Sequence, residues 1–206
     1  TDQWADLLVE GPEALSCLGV QEPPTRGGWV ELDGSLLAPA LKAHEERFEL
    51  LVRADKLASI ESKLASAGSV ALESERLEEL RIRAGVPSSH YEYVKPINPL
   101  ELRLVDSSIS WNKGCYIGQE VISRLDSYDK VARMLMGVQG EANRAFAPGS
   151  RVEQDGKRVG KITSWLASAG VGLAIVERDA CKPGQCEVVG EDGNAKADLV
   201  DCKFWS

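Results

Sequence analysis

Apolar positions along the chain keep two different rhythms. In residues 54–67 (ADKLASIESKLASA), Leu57, Ile60 and Leu64 recur at helical spacing and Gly68 follows as a stop. Residues 74–84 predict a second helix carrying Leu77, Leu80 and Arg81. A short helix is expected in GPEALSCLG, because proline is favoured in a first helical turn. Strand-like runs lie at 28–32 and 48–52, and strands interspersed with helices predict an α/β or α+β layer. From Val131 onward the rhythm changes to short alternating runs: RMLMGVQ, SRVEQ, RVGKITSW, GVGLAIV, QCEVV and KADLVDCKFW. Pro-Gly, Asp-Gly and Glu-Asp-Gly turns divide them, which predicts a small antiparallel barrel. Three blocks result, 1–105, 106–130 and 131–206. The part before Gly68 has few large apolar residues, so a preceding segment or a partner is expected to close its hydrophobic face.

Composition narrows the function classes. A chain of 206 residues that is 43% hydrophobic and 27% charged is ordinary for a globular protein. Lys and Arg number 24 against 32 Asp and Glu, a net charge of -8. That balance argues against direct binding to nucleic acid or an anionic membrane. No apolar run reaches the roughly 20 residues that span a bilayer, and TDQWADLLVEG has neither a basic start nor an apolar signal core. The expectation is a cytoplasmic protein. Five cysteines and two histidines without a CxxC pair predict free thiols and no resident metal site.

The densest chemistry lies in KGCYIGQE, residues 113–120. Gly114 and Gly118 permit torsions closed to other residues, and Val121, Ile122 and Leu125 predict a helix beginning near Gly118. Cys115 then falls in a tight loop beside Lys113 and ahead of a helix N-terminus. Both the ammonium and the positive helix end favour thiolate, which is how a reactive cysteine is built. The same pattern also fits a buried cysteine in a plain turn. Cys17, Cys181, Cys186 and Cys202 read as packing residues. His44 and His90 are the candidate bases for a Cys–His pair. No GxGxxG, Walker loop or HExxH is present.

KGCYIGQE followed by Arg124 resembles the signature of the YgfZ family of folate-binding proteins, relatives of the glycine-cleavage T-protein (aminomethyltransferase). LEELRIRAGVP at 77–87, NPLEL at 98–102, and GKRVGKITSW with GVGLAIV are similar to further segments of that family, in the same order. VEGPEALSCLG and RFELLV match more weakly. The resemblance implies an α+β fold: part of a folate-binding α/β domain followed by a small antiparallel Greek-key barrel. In the family this belongs to a three-domain ring, and the resemblance leads one to expect that the N-terminal part, with the T-protein's catalytic aspartate, lies outside this sequence.

What the resemblance implies for function is a folate-binding accessory protein for 4Fe-4S cluster assembly or repair, supporting clients such as radical tRNA-modifying enzymes. Its ligand would be tetrahydrofolate or a derivative, and its partners iron–sulfur client proteins. Cys115 is the implied working thiol with Lys113 beside it. Gly114, Tyr116, Gly118, Gln119, Glu120 and Arg124 would shape and hold the loop. Glu49 and Arg81 match positions that contact the folate. A carboxylate can accept paired bonds from an amino-pyrimidine edge, and a guanidinium can hold a carbonyl or carboxylate in bidentate fashion. Without the resemblance, the two residues would read as a solvated salt bridge. The alternative function is a tetrahydrofolate-dependent aminomethyltransferase. This chain departs from the family at Arg83, where Glu is usual, and at Tyr128-Asp129, where Arg-Gly is usual.

Overall fold

Period-two burial organises the first of two units, Thr1–Leu72 and Glu73–Ser206. In this computed structural model the described residues are 3–25, 27–40, 46–93, 97–128, 130–191 and 193–202. The first unit holds β1 (Trp4–Glu10), α1 (Ala14–Leu18), β2 (Val30–Leu32), β3 (Ser35–Pro39), β4 (Arg47–Arg53) and α2 (Leu57–Ser66). Its strands form an antiparallel sheet in the order β1-β4-β3-β2. One sheet face contributes Val9, Leu37, Phe48, Leu50 and Val52 to a core closed by Ala14 and Leu18 of α1 and Ile60 of α2. Each such large side chain stabilises by about 1.5–3 kcal/mol on burial. This unit therefore assembles a core of its own from residues before Gly68, because each short strand commits one whole face to it.

Leu57 and Leu64 pack against the same core, as their spacing with Ile60 requires. The helix ends where expected. Gly68 adopts φ +91°, and its N–H bonds the Ala65 carbonyl at 3.0 Å.

The second unit contains α3 (Ser74–Arg83), α4 (Val105–Ser108), α5 (Gln119–Ser127) and six strands: β5 (Arg133–Gly140), β6 (Arg151–Gln154), β7 (Lys157–Leu166), β8 (Val171–Glu177), β9 (Gly184–Gly190) and β10 (Gly193–Val200). All six strands pair antiparallel and close into a barrel ordered β10-β5-β8-β7-β6-β9. β5 lies beside β8 rather than β6, and that return makes the connection a Greek key. The fold is α+β with a terminal antiparallel barrel, as the sequence pattern and the resemblance led one to expect.

Every strand sends side chains into the barrel, among them Met136, Val138, Val152, Ile162, Val176, Val188 and Leu199. β8 differs from the others because VGLAIV is apolar without alternation. Ala174 and Val176 face the interior. Val171, Leu173 and Ile175 instead join an outer cluster with Ile82 of α3, Leu102, Leu104, Leu135 and Cys202. A strand buried on both faces needs a continuous apolar run, and the segment around α3 and residues 97–104 supplies its outer cover. In α3 the buried anchor is Ile82 at 1% exposure, whereas Leu77 stays exposed. The helix packs on β7 and β8, and Ile82 is the position that joins the apolar cluster there.

NPLEL fastens this cover. The Asn98 Oδ1 accepts the Glu101 N–H at 3.0 Å while the Glu101 carboxylate accepts the Asn98 N–H at 3.2 Å, a reciprocal box. Glu101 also takes the Arg133 Nε–H at 3.0 Å, and its carbonyl accepts the Leu135 N–H at 2.7 Å.

Gly170 and Gly149 both have positive φ, +63° and +100°. A Cβ at Gly170 would sit 2.5 Å from the Gly140 carbonyl oxygen, whereas one at Gly149 meets nothing within 4 Å. Alanine at either position carries the left-handed penalty, about 1 kcal/mol. Gly170→Ala is expected to cost about 1–3 kcal/mol more than Gly149→Ala, as measured by urea unfolding. Equal losses would mean that the barrel does not close tightly at that corner.

Candidate functional site

Gly118 sets the geometry of the KGCYIGQE loop. With φ +89° it caps α5 from the left-handed region, where a side chain would be strained. The Gln119 N–H donates to the Tyr116 carbonyl at 3.2 Å, and the Gln119 side-chain oxygen accepts the Tyr116 N–H at 3.4 Å. Lys113, Gly114 and Cys115 are exposed and Tyr116 is half-buried. The Lys113 ammonium lies 4.7 Å from the centroid of the Tyr116 ring, a cation–π contact worth about 0.5–1 kcal/mol at an exposed site. The Tyr116 hydroxyl is buried without a hydrogen-bond partner among the described residues. Glu120 and Arg124 form an exposed i,i+4 pair at 2.7 Å, of the kind worth about 0.3–0.5 kcal/mol. None of the α5 side chains is buried, and Ile117 and Val121 are open to solvent.

The thiols divide by environment. Cys115 is exposed, Cys17 and Cys181 are half-buried, and Cys186 and Cys202 are buried. Burial pushes the Cys186 thiol up to about 11, with the nearby Asp198 charge adding to it. Burial also raises Cys181. The Cys202 thiol donates to the Leu135 carbonyl at 3.2 Å. Among the described residues no group of three or more His, Cys, Asp or Glu is arranged to hold a metal ion, and no helix is long and apolar enough to cross a membrane. His90 is exposed, with its backbone N–H on the Ser88 hydroxyl at 3.1 Å. His44 lies outside the described residues.

Glu49 sits in β4 on the sheet face opposite the core, exposed. Leu8 of β1 and Ala38 of β3 are its cross-strand partners, and Leu51 is two residues along the same strand. Arg47 is two residues back on the same face, so the carboxylate has mixed charged and apolar neighbours on an antiparallel sheet, and its position is fixed by register rather than by a loop.

Arg81 is the centre of a network that sequence reasoning did not anticipate. Its Nε and Nη2 donate to the two oxygens of Glu78 at 2.7 and 2.6 Å, Nη2 also reaches the Ser164 hydroxyl at 2.9 Å, and Nη1 donates to the Val86 carbonyl. Behind it lies Glu92, whose side chain has no exposure. Its carboxylate accepts the Ser164 O–H at 2.8 Å and the Ser88 N–H at 2.7 Å, with Arg81 Nη1 at 3.7 Å. The polar Thr163-Ser164 pair inside a buried strand was the available signal. Glu92, in HYEYV, had none. Arg83 bonds Glu79 at 2.7 Å, and Arg76 reaches the same carboxylate at 2.7 Å. Arg83 first, and then Arg76, hold Glu79 below the usual carboxylate range. The Arg83 departure is therefore answered by a partner on its own helix.

No protein-family model matches the chain. It is 38% identical over 152 residues, 72% of its length, to a putative chloroplastic transferase of Arabidopsis thaliana, covering 34% of that protein. Aminomethyltransferases from Cutibacterium acnes and Thermotoga neapolitana are 31% and 29% identical over 85% and 100% of the chain, which covers 49% and 60% of them. The crystal structure of glycine cleavage system aminomethyltransferase T from Bartonella henselae superimposes with a TM-score of 0.71 over 98% of this chain and 59% of that one, at 15% identity. This chain has the aminomethyltransferase fold. It is related in sequence to aminomethyltransferases and spans between a third and three fifths of the length of these relatives. Within that fold, the exposed KGCYIGQE loop and the buried Arg81 network both belong to the second unit.

Two outcomes test this geometry. Alkylation of the folded protein with iodoacetamide at pH 8, followed by mass spectrometry, is expected to modify Cys115 first and to leave Cys186 and Cys202 protected. Because Cys186 is raised, its thiolate fraction grows only as pH climbs toward 11. Equal labelling of Cys186 and Cys115 would contradict the closed barrel. Removal of the Arg81 guanidinium leaves Glu92 buried without its cation, and Arg81→Ala is expected to cost about 3–5 kcal/mol. Glu120→Gln should cost under about 0.5 kcal/mol, both read from chemical denaturation.

Proposed function

We propose that this chain is a YgfZ-type folate-binding protein that supports 4Fe-4S cluster assembly or repair. Cys115 is its working thiol, and tetrahydrofolate or a derivative is its ligand. The observation that carries this reading is the exposure of Cys115 at the head of a loop ordered by its own motif, through Gly118, Gln119 and Tyr116. A thiol that must meet a second macromolecule has to be reachable, whereas Cys186 and Cys202 are enclosed. Relatedness to aminomethyltransferases supports a folate ligand.

Glu49 fits the amino-pyrimidine edge of a pterin in chemistry, because an ionised carboxylate is acceptor-only and can take two parallel bonds. Arg81 suits a carbonyl or carboxylate. In this reading Lys113 steadies the loop through the Tyr116 ring, while Glu120 and Arg124 clasp the first turns of α5. The bound folate would supply one-carbon chemistry at its reactive nitrogen. The partners are iron–sulfur client proteins, met in the cytoplasm.

A second reading, tetrahydrofolate-dependent aminomethyl transfer, is favoured by the names of several relatives. It requires a carboxylate beside the folate nitrogen to steer a proton.

The test is rescue of a 4Fe-4S enzyme in cells lacking this protein, with the full-length gene carrying either the natural Cys115 or Cys115→Ser at equal protein level. Rescue by the natural form and not by Cys115→Ser is the expected result. Equal rescue would make Cys115 structural. Rescue by neither, with measurable aminomethyl turnover on tetrahydrofolate, would establish the second reading.

A further inference from the structure

The guanidinium of Arg81 is held from two sides of very different strength. On the inner side are the Val86 carbonyl, the Ser164 hydroxyl and the fully buried Glu92. On the outer side the Nε/Nη2 edge is closed by Glu78, whose side chain is 36% exposed and stands three residues earlier on α3. Arg81 itself is only 16% exposed. The inner contacts fix the plane and direction of the fork. The outer partner is a carboxylate already open to water on the same helix, so releasing it costs far less desolvation than releasing Glu92 would.

We infer that Glu78 is a placeholder: a carboxylate-bearing ligand enters by displacing it from the Nε/Nη2 edge of Arg81. The exchange conserves the bonding, since one planar carboxylate with two acceptor oxygens replaces another in the same bidentate geometry. Glu78 then returns to water, which its exposure makes inexpensive. The Ser164 and Glu92 contacts keep the guanidinium from following it. Lysine at position 81 could not serve, because an ammonium has no second parallel donor for that edge. The same exchange also sets selectivity, as a neutral ligand gives Arg81 nothing to replace the charge it loses. This deepens the proposed folate site, and it rests on the reading of Arg81 as a ligand contact.

The experiment uses the full chain, natural and Glu78→Gln, each checked for folding by circular dichroism. The Arg81 Nε–H resonance is followed by NMR during titration with glutarate and with its diamide, and tetrahydrofolate binding is measured by calorimetry. Glu78→Gln should bind glutarate about two- to fivefold tighter, the range set by a weak ion pair. The diamide should show no gain, and tetrahydrofolate affinity should rise with glutarate. Identical glutarate curves for the two proteins, or an Arg81 signal that never moves, would overturn the placeholder. If tetrahydrofolate binds both proteins equally, the placeholder fails and the folate reading stands. If glutarate shows the gain and tetrahydrofolate binds neither, the exchange stands and the folate reading fails.

Discussion

Burial of β8 on both faces is the constraint on which the second unit turns. A strand whose interior side is filled by Ala174 and Val176 and whose outer side carries Val171, Leu173 and Ile175 cannot be left against water. Ile82, Leu102 and Leu104 meet that need, and in doing so they fix α3 against the barrel. Arg81 is next in sequence to Ile82. Once Ile82 is locked at 1% exposure, the neighbouring guanidinium is directed along the barrel flank toward Ser164. The polar network is thus a consequence of apolar packing one residue away. Its full satisfaction is what makes a buried Glu92 tolerable, since an unpaired carboxylate there would cost several kcal/mol.

The barrel was legible because its information is local. Each hairpin carries its own turn chemistry, such as Asp155-Gly156 with both residues at positive φ. The unbroken VGLAIV run marks double burial before any fold is known. The short helices were legible for the same reason, with Gly68 and Gly118 standing where the apolar spacing changes. What could not be read is the pairing of residues remote in sequence. Ser164 and Glu92 are 72 positions apart, and no periodicity links them. Leu77 was a good helical apolar position, yet Ile82 is the one covered, because only the docked direction of α3 decides which end of its stripe is used. Lys113 was expected beside the thiol, and its ammonium lies over the Tyr116 ring. Spacing alone does not announce a ring partner for a flexible cation.

Local and scaffold-borne chemistry are separated in this chain. Glu49 and Arg81 are positioned by a sheet register and a docked helix, so their geometry has the precision of the core behind them. Cys115 has no such backing. A nine-residue helix with no buried side chain is marginal by propensity alone, and the loop before it is held by a left-handed glycine, two Gln119–Tyr116 bonds and one cation–π contact. Segments with few buried contacts lie at the low-stability end of a fold. That is a poor setting for a nucleophile needing fixed orientation toward a small substrate, where an error of about 1 Å is costly. It is a suitable one for a thiol that must reach the surface of another protein and adjust to it. The Cys115 loop is thus held by local contacts alone, whereas the Arg81 guanidinium takes its place from the apolar cluster behind Ile82.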